Sequence, residues 1–187
     1  MAVVKADGYG HGSLEVVNAT LKAGATHLGV ATIQEGIHLR QEGITIPILV
    51  LGNIYSPEDL RLCLRWDLMV TISDLKDAII CQNIAESSAK EFYVHIKVDT
   101  GMTRLGFDYN ESFKIFQHLQ KLNKVIISGI YSHLSLADQN DNQESIDFTL
   151  DQKNKFEKLI SDLGLKSDDS VICHLANSAG TLLGRQF

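Results

Sequence analysis

The feature that most constrains the fold of this 187-residue chain is a regular alternation of short apolar runs, rich in Val and Ile, with longer stretches of helical periodicity. Such alternation is typical of parallel strands joined by helical crossovers. Several of the apolar runs are continuous, as expected for strands buried on both faces. The predicted strands are Ala2–Ala6, Leu28–Thr32, Ile48–Gly52, Leu68–Ile72, Phe92–Val98, Val125–Tyr131 and Val171–His174.

The segments between these runs predict helices, and residues typical of helix ends support the boundaries. Ser56 precedes a proline and two acidic residues, and Gly24, Gly43 and Gly164 follow predicted helix ends. A further helix is predicted to begin after Asn177. The other predicted helices are Gly12–Ala23, Ile33–Glu42, Ser56–Leu64, Ser73–Ala89, Asn110–Lys121 and Asn142–Leu163.

Seven predicted strands and the start of a seventh helix favour an α/β fold, the (β/α)8 TIM-type barrel, with about seven of its eight units. A closed barrel of this kind typically has about 250 residues. The alternative is an open doubly wound sheet. Its dinucleotide-binding version is weakened because no Gly-x-Gly-x-x-Gly follows the first strand. No linker or composition shift divides the chain, so residues 1–187 are predicted to form a single domain.

Composition excludes several functional classes. A formal net charge of −6 without blocks of like charge argues against nucleic acid as a partner. No window approaches the ~18 consecutive apolar residues of a membrane-spanning helix, so no membrane partner is expected. The cysteines, Cys63, Cys81 and Cys173, are far apart and predict reduced thiols of a cytoplasmic protein. Neither they nor the histidines have metal-ligand spacing, and no metal site is expected.

In parallel α/β folds, ligands bind at the carboxyl ends of strands. The first predicted strand ends near Lys5, and a glycine-rich segment with Tyr9 and His11 follows. An amine among apolar neighbours at that position would be a nucleophile for a carbonyl compound. A lysine that extends into water is the alternative. The glycines predict a tight turn that lets backbone approach a ligand.

The fifth predicted strand ends with Lys97 and Asp99 on one face, and Arg104 follows on a loop between two glycines. A lysine buried in the sheet must be paired, neutralised or modified. Arg104 has the planar donor arrangement that suits a carboxylate or phenolate oxygen. The alternative is an Asp–Lys–Arg network that only holds the loop in place.

The last two predicted strands also end in candidate residues. His133 would act as an acid, a base or a stacking ring, or serve the structure through hydrogen bonds. His174 ends the seventh strand, Asn177 is predicted to cap the next helix, and Ser178 stands at that helix N-terminus, which suits a phosphate. The alternative is that Asn177 only caps this helix and that no ligand binds there. A strand-end amine, an arginine and a phosphate site together fit pyridoxal 5′-phosphate, with other phosphorylated ligands left open.

Three segments resemble motifs of the alanine racemase family. Val3–Gly12 (VVKADGYGHG) is similar to the family's pyridoxal-phosphate signature, Val98–Phe107 (VDTGMTRLGF) to its second motif, and His174–Ser178 (HLANS) to a third. They occur in the family's order, each after a predicted strand, and the resemblance covers nearly the whole chain. On this basis residues 1–187 are identified as an incomplete alanine racemase N-terminal domain, a pyridoxal-phosphate-binding barrel.

The resemblance implies a role for each matching residue. Lys5 would hold pyridoxal 5′-phosphate covalently and act as one of two bases at the substrate Cα. Tyr9 and Ser178 would contact the cofactor phosphate. Arg104 would hydrogen-bond the phenolic oxygen of the cofactor, and His133 would stack on its pyridine ring.

The remaining matching residues would support the cofactor site. Lys97 matches a position that is carbamylated in many family members and then orients the arginine. Asn177, which is assigned to the cofactor-binding residues, and His174 would support the residues around them. Asp99 belongs to the second motif and is assigned a supporting role.

The implied activity is the interconversion of L-alanine and D-alanine, which supplies D-alanine for peptidoglycan in the cytoplasm. Family members are homodimers, and their second base is a tyrosine from a C-terminal β-domain of the partner subunit. No segment here matches that domain, and the first strand begins almost at Met1, so the chain is expected to be truncated at both ends. It is expected to hold the cofactor and, at best, to catalyse slow exchange at Cα.

Two alternatives to an active racemase remain open. One is a single-domain pyridoxal-phosphate-binding protein without racemase activity. The other is an inactive fragment in which the first and last strands form unpaired sheet edges and no stable barrel forms. A related substrate such as serine also remains open.

Overall fold

A computed structural model describes residues 1–139 and 141–184 of the chain. In that part of the chain the strands are β1 (Ala2–Val3), β2 (Leu28–Val30), β3 (Ile48–Val50), β4 (Met69–Ile72), β5 (Phe92–Asp99), β6 (Phe107–Asp108), β7 (Val125–Tyr131) and β8 (Ile172–His174). They form one sheet in the order β1-β2-β3-β4-β5-β7-β8, with β6 paired to β5. This order follows the chain without the reversal of a doubly wound sheet, so the TIM-type topology is confirmed and the alternative was wrong.

The strands are connected by helices, as the alternation of patterns predicts. A short turn, α1 (Lys5–Gly10), follows the first strand. The remaining helices of the described residues are α2 (Ser13–Lys22), α3 (Ile33–Gln41), α4 (Pro57–Arg65), α5 (Leu75–Ser88), α6 (Tyr109–Leu119), α7 (Gln143–Asp162) and α8 (Ser178–Leu182), with a 3-10 helix at Leu165–Ser167. None of the helices in this part of the chain is both long and apolar enough to cross a membrane.

The chain divides into two compact units. The first holds Met1–Ile72, Lys76–His95 and Leu122–Ile126, and the second holds Ser73–Leu75, Ile96–Lys121 and the described residues from Ile127 onward. Strands β5 and β7 begin in the first unit and end in the second.

The core of the first unit is built from strands with no exposed face. Every residue of β2, β3 and β4 is buried, including Leu28, Ile48 and Val70 with no exposed surface. The three strands pair in parallel, with Leu28 opposite Ile48 and Val50 opposite Val70. Burial of both faces explains why these strands read as continuous apolar runs in the sequence.

The first predicted strand, Ala2–Ala6, is too long. Strand β1 ends at Val3, so Lys5 does not belong to the strand but begins the turn after it. The reason lies in the backbone, because Ala6 to Tyr9 have left-handed dihedral angles that cannot continue a strand.

Other boundaries differ from the prediction by two residues or fewer. The predicted strand Leu28–Thr32 ends at Val30, because Thr32 caps the next helix and its hydroxyl accepts a hydrogen bond from the Glu35 N–H. The two-residue strand β6 was not predicted, since a segment so short has no apolar run of its own. The prediction that Gly24, Gly43 and Gly164 follow helix ends is confirmed. They lie just beyond α2, α3 and α7, and each has a positive φ.

The three cysteines are free, as predicted. Cys63 and Cys81 are buried, and burial raises the pKa of each thiol to about 12, with nearby Asp59 and Asp77 adding to the effect. Cys173 on β8 is exposed.

Arg40 joins separate segments of the first unit through backbone carbonyl groups. Its Nε donates to the Trp66 carbonyl at 3.2 Å, and one terminal nitrogen donates to the carbonyls of Ile44 and Ile46 at 2.7 and 2.8 Å. The other donates to the Asp67 carbonyl at 2.7 Å. Burial lowers the pKa of the guanidinium, and the Asp67 carboxylate opposes that shift. The side chain therefore ties the end of α3 to the segments before β3 and β4.

We expect Arg40→Met to lower the free energy of unfolding by about 2–3 kcal/mol, because it leaves several carbonyl groups without their charged donor. Urea denaturation followed by circular dichroism measures this. Arg61→Met is the matched control, since Arg61 is exposed and pairs only with Glu58 at 3.5 Å among its described contacts. That control should lose less than about 1 kcal/mol. An equal loss of unfolding free energy in both variants would contradict the role of Arg40 in joining these segments.

Candidate functional site

The turn that begins at Lys5 has an unusual backbone. Ala6, Asp7, Gly8 and Tyr9 have φ from 52° to 60° and ψ from 37° to 51°, so the turn is left-handed. For residues with a side chain this conformation costs about 1–2 kcal/mol each. The tight turn predicted from the glycines is confirmed, but three of its four left-handed residues are not glycine. Other interactions must therefore hold it.

Several contacts hold this turn against α2. The Asp7 carboxylate accepts a hydrogen bond from the Ser13 N–H at 2.8 Å, and the Gly12 N–H donates to the Asp7 carbonyl at 3.0 Å. A Cβ on Gly8 would lie 2.8 Å from a methyl group of Val16, closer than a real contact allows. Gly8 thus lets the turn pack directly on the helix.

The turn presents two of the candidate side chains. Lys5 is half-buried, and its Nζ lies 6.0 Å from the centre of the Tyr9 ring, which is 58% exposed. An amine and a phenol on one turn are thus within reach of the same small ligand.

In the second unit, the loop after β5 is held by Asp99. Its carboxylate accepts hydrogen bonds from the Gly101 N–H at 2.9 Å and the Thr103 N–H at 3.0 Å. A Cβ on Gly106, where φ is 123°, would lie 2.8 Å from the Asp99 nitrogen, so only glycine lets the loop return beside β5. Arg104 is exposed on this loop. Asp99 therefore holds the loop through backbone N–H groups.

Lys97 lies in an aromatic environment. It is only 6% exposed, and its Nζ is 4.8 Å from the centre of the Tyr131 ring. The Tyr131 ring stacks on His174 with a centroid distance of 4.7 Å and an interplanar angle of 4°. The stack follows from register, because Tyr131 and His174 are partners in the β7–β8 pair. An aromatic face stabilises a buried ammonium group.

The loop that carries His133 is held by Gln152, a residue of α7 with no exposed surface. The Gln152 side-chain amide donates to the His133 carbonyl at 3.0 Å, and its oxygen accepts from the Ser135 N–H at 2.9 Å. The same amide nitrogen is 3.5 Å from the Thr100 hydroxyl, which is 2.8 Å from the Ser132 hydroxyl. One buried amide thus connects the loops after β5 and β7.

The predicted cap at Asn177 is confirmed. Its side-chain oxygen accepts a hydrogen bond from the Gly180 N–H at 2.9 Å, and its nitrogen donates to the Leu134 carbonyl at 3.1 Å. Ser178 is exposed at the first position of α8. Asn177 therefore ties this short helix to the loop that carries His133.

Within each unit the structure brings some of the predicted residues together. Lys5 and Tyr9 share one turn of the first unit. In the second unit, Lys97 and His174 lie next to the same tyrosine ring, and Asn177 bonds to the loop of His133.

Tyr131 and Gln152 were not identified as site residues from the sequence, and neither was Glu35, whose carboxylate accepts a hydrogen bond from the Ala6 N–H at 2.8 Å. Glu35 follows Thr32 by three residues, which is the signature of a capping box. Gln152 is a polar residue on the buried face of α7, which also includes Phe156 and Leu159. Both signals were present in the sequence. No comparable sequence pattern marks Tyr131, because its contacts depend on the register of separate strands.

Comparison with known proteins gives consistent matches. The family model described as "Alanine racemase, N-terminal domain" matches residues 1–187. An alanine racemase of Prochlorococcus marinus is 56% identical over 182 residues, which cover 97% of this chain and 47% of that relative. The chain thus spans about half the length of the curated relatives it matches.

Solved structures agree with this match. An alanine racemase of Clostridium difficile 630 has a TM-score of 0.85 at 36% identity, covering 95% of this chain and 48% of that chain. A histidine racemase of Leuconostoc mesenteroides has a TM-score of 0.80 at 28% identity, covering 96% of this chain and 46% of that chain.

We expect Gln152→Leu to lower the free energy of unfolding by about 2–3 kcal/mol, because the Ser135 N–H and the His133 carbonyl lose their partner. Gln143→Leu is the matched control on the same helix, since Gln143 is exposed and bonds to Asp147. Chemical denaturation of both variants measures the difference. A loss at position 152 no larger than at position 143 would show that the buried amide does not hold the loop.

Proposed function

Because this chain belongs to the alanine racemase N-terminal domain family, we propose that it is the cofactor-binding part of a racemase that uses pyridoxal 5′-phosphate to interconvert L-alanine and D-alanine. The observation that carries the proposal is the Lys5 turn. It presents an amine and the Tyr9 phenol together, at the place where the family signature matches.

The side chains present suit this cofactor. The half-buried amine of Lys5 is a nucleophile for an aldehyde, and the exposed guanidinium of Arg104 suits a phenolic oxygen. Ser178 offers a hydroxyl at a helix start. When bound, pyridoxal 5′-phosphate supplies an electron sink that makes the Cα proton of an amino acid acidic.

We assign the central steps to the residues of the Lys5 turn. The Lys5 amine would hold the cofactor aldehyde, with loss of water, and would move a proton at the substrate Cα once the substrate amino group has displaced it. Tyr9 of the same turn, and Ser178 of α8, would bind the phosphate group. Several hydrogen bonds hold the backbone of the turn. They fix the backbone position from which the Lys5 side chain extends. Proton transfer needs such positioning, since a base acts only within hydrogen-bond reach of the proton.

The remaining residues orient the cofactor. Arg104 would bond its phenolic oxygen, and Lys97 would support that arginine, with carbamylation of Lys97 as part of the proposal. His133 would stack on the pyridine ring, and its loop is held by the buried Gln152 amide. Asn177 holds the start of α8, where Ser178 stands.

The partners and cellular role follow from family membership. We propose that the reaction supplies D-alanine for peptidoglycan in the cytoplasm, and the free thiols fit a reducing compartment. We further propose a homodimer, with a tyrosine of the partner subunit as the second base. Lys5 is the only base that we assign to this chain.

A second candidate function is racemisation of another amino acid. The match to a histidine racemase favours testing it, since the same fold accompanies a different substrate there. Chiral analysis of alanine, serine and histidine after incubation with the protein and cofactor distinguishes these substrates. Clear racemisation of any of them would exclude a barrel that only binds the cofactor.

The decisive experiment for the proposal is covalent trapping. We expect that adding pyridoxal 5′-phosphate, followed by borohydride, modifies one lysine per chain, and that peptide mass spectrometry places the adduct at Lys5. Borohydride converts the link between amine and cofactor into a stable secondary amine, so the label survives digestion.

Lys5→Arg keeps the positive charge but removes the primary amine, and we expect it to lose the adduct. Lys22→Arg, at an exposed position on α2, should label like the wild type. Labelling scattered over many lysines, or retained in Lys5→Arg, would contradict the proposal.

A further inference from the structure

We propose that Glu35 is a positioning residue for Lys5, because its carboxylate fixes the backbone from which the Lys5 amine is presented. The inference rests on the proposed role of Lys5 in the reaction. It concerns a residue of α3, an element separate in sequence from the Lys5 turn.

The Glu35 carboxylate accepts three backbone hydrogen bonds. One oxygen accepts from the Ala6 N–H at 2.8 Å. The other accepts from the Ala31 N–H at 2.7 Å and from the Thr32 N–H at 3.1 Å. A capping-box glutamate ordinarily needs only the bond to the capping residue, here Thr32. The bond to Ala6 is therefore not required to begin the helix.

Ala6 occupies the position where such a bond has most effect. It directly follows Lys5 and is the first of the four left-handed residues. The peptide group between Lys5 and Ala6 sets the direction in which the chain leaves Lys5. A hydrogen bond from a backbone N–H to a carboxylate is charge-assisted and stronger than one to a neutral acceptor. It can therefore offset part of the cost of the left-handed backbone.

Side-chain packing between the turn and α3 is incomplete, which increases the importance of this bond. A cavity of about 240 Å³ lies there, lined by residues that include Val4, Val30, His38 and Leu39. Since the cavity leaves part of this interface unfilled, the hydrogen bond of Glu35 supplies contact that packing does not. The Glu35 carboxylate thus links the backbone that follows Lys5 to α3 beside this pocket.

Glu35→Gln is the selective variant. Its single amide oxygen can accept from Ala31 and Thr32, which share one carboxylate oxygen, and its NH₂ group then faces the Ala6 N–H. The NH₂ group of the glutamine and the Ala6 N–H are both donors and cannot bond to each other, so only the hydrogen bond to Ala6 is lost. Thr32→Ala is the matched control, because it removes the hydroxyl that accepts from the Glu35 N–H at 3.3 Å and leaves the carboxylate in place.

Hydrogen exchange of the Ala6 amide, followed by NMR, tests the positioning without any cofactor. We expect protection in the wild type, exchange at least about tenfold faster in Glu35→Gln, and little change in Thr32→Ala. An Ala6 amide that is unprotected in the wild type would overturn the inference without any variant. Equal acceleration in the two variants would also overturn it, because it would show a general loss of the helix cap.

The rate of covalent trapping of pyridoxal 5′-phosphate at Lys5 tests the consequence for the reactive amine. We expect the trapping rate to fall at least about fivefold in Glu35→Gln and to change less than twofold in Thr32→Ala. The pH profile of the trapping rate should change only in Glu35→Gln. Unchanged trapping in Glu35→Gln would overturn the inference. If the wild type itself does not label at Lys5, the proposed function fails, and the Ala6 exchange rates alone decide the role of Glu35.

Discussion

Burial of the strands on both faces is the constraint on which the rest of this structure depends. In β2, β3 and β4 no residue is exposed, so these strands contribute packing and offer no surface for a ligand. Several of the candidate side chains accordingly lie beyond the ends of strands. Lys5, Arg104 and Ser178 each follow a strand, on a turn, a loop and a short helix respectively. The apolar sheet thus determines where chemistry can take place.

Placing reactive residues beyond the strands creates a second requirement, because loops outside the core are not held by packing alone. In each case a carboxylate or amide side chain bonds to the loop backbone. Glu35 bonds to the residue after Lys5, Asp99 bonds within the Arg104 loop, and Gln152 bonds to the His133 loop. Asn177 does the same between α8 and that loop. The residues that hold these segments therefore include two site candidates, Asp99 and Asn177, and two residues that were not assigned to the site, Glu35 and Gln152.

The sequence predicted the strands and the segments that follow them, but not the contacts that hold those segments in place. Apolar runs locate the strands, and motifs that follow them locate Lys5 and Asn177, because both signals are local. The left-handed turn was not predicted, since Ala6, Asp7 and Tyr9 have no intrinsic preference for it and hydrogen bonds from distant residues hold it. The contact of Lys97 with the Tyr131 ring likewise depends on the placement of separate strands, which no local pattern encodes.

The central proposal is that the Lys5 turn binds pyridoxal 5′-phosphate. Hydrogen–deuterium exchange of the chain with and without pyridoxal 5′-phosphate tests it most directly. We expect slower exchange in segments 5–12, 100–106 and 177–181 when the cofactor is added, and no change in the segment 43–47 before β3. Unchanged exchange in segment 5–12, or protection confined to segment 43–47, would contradict the account.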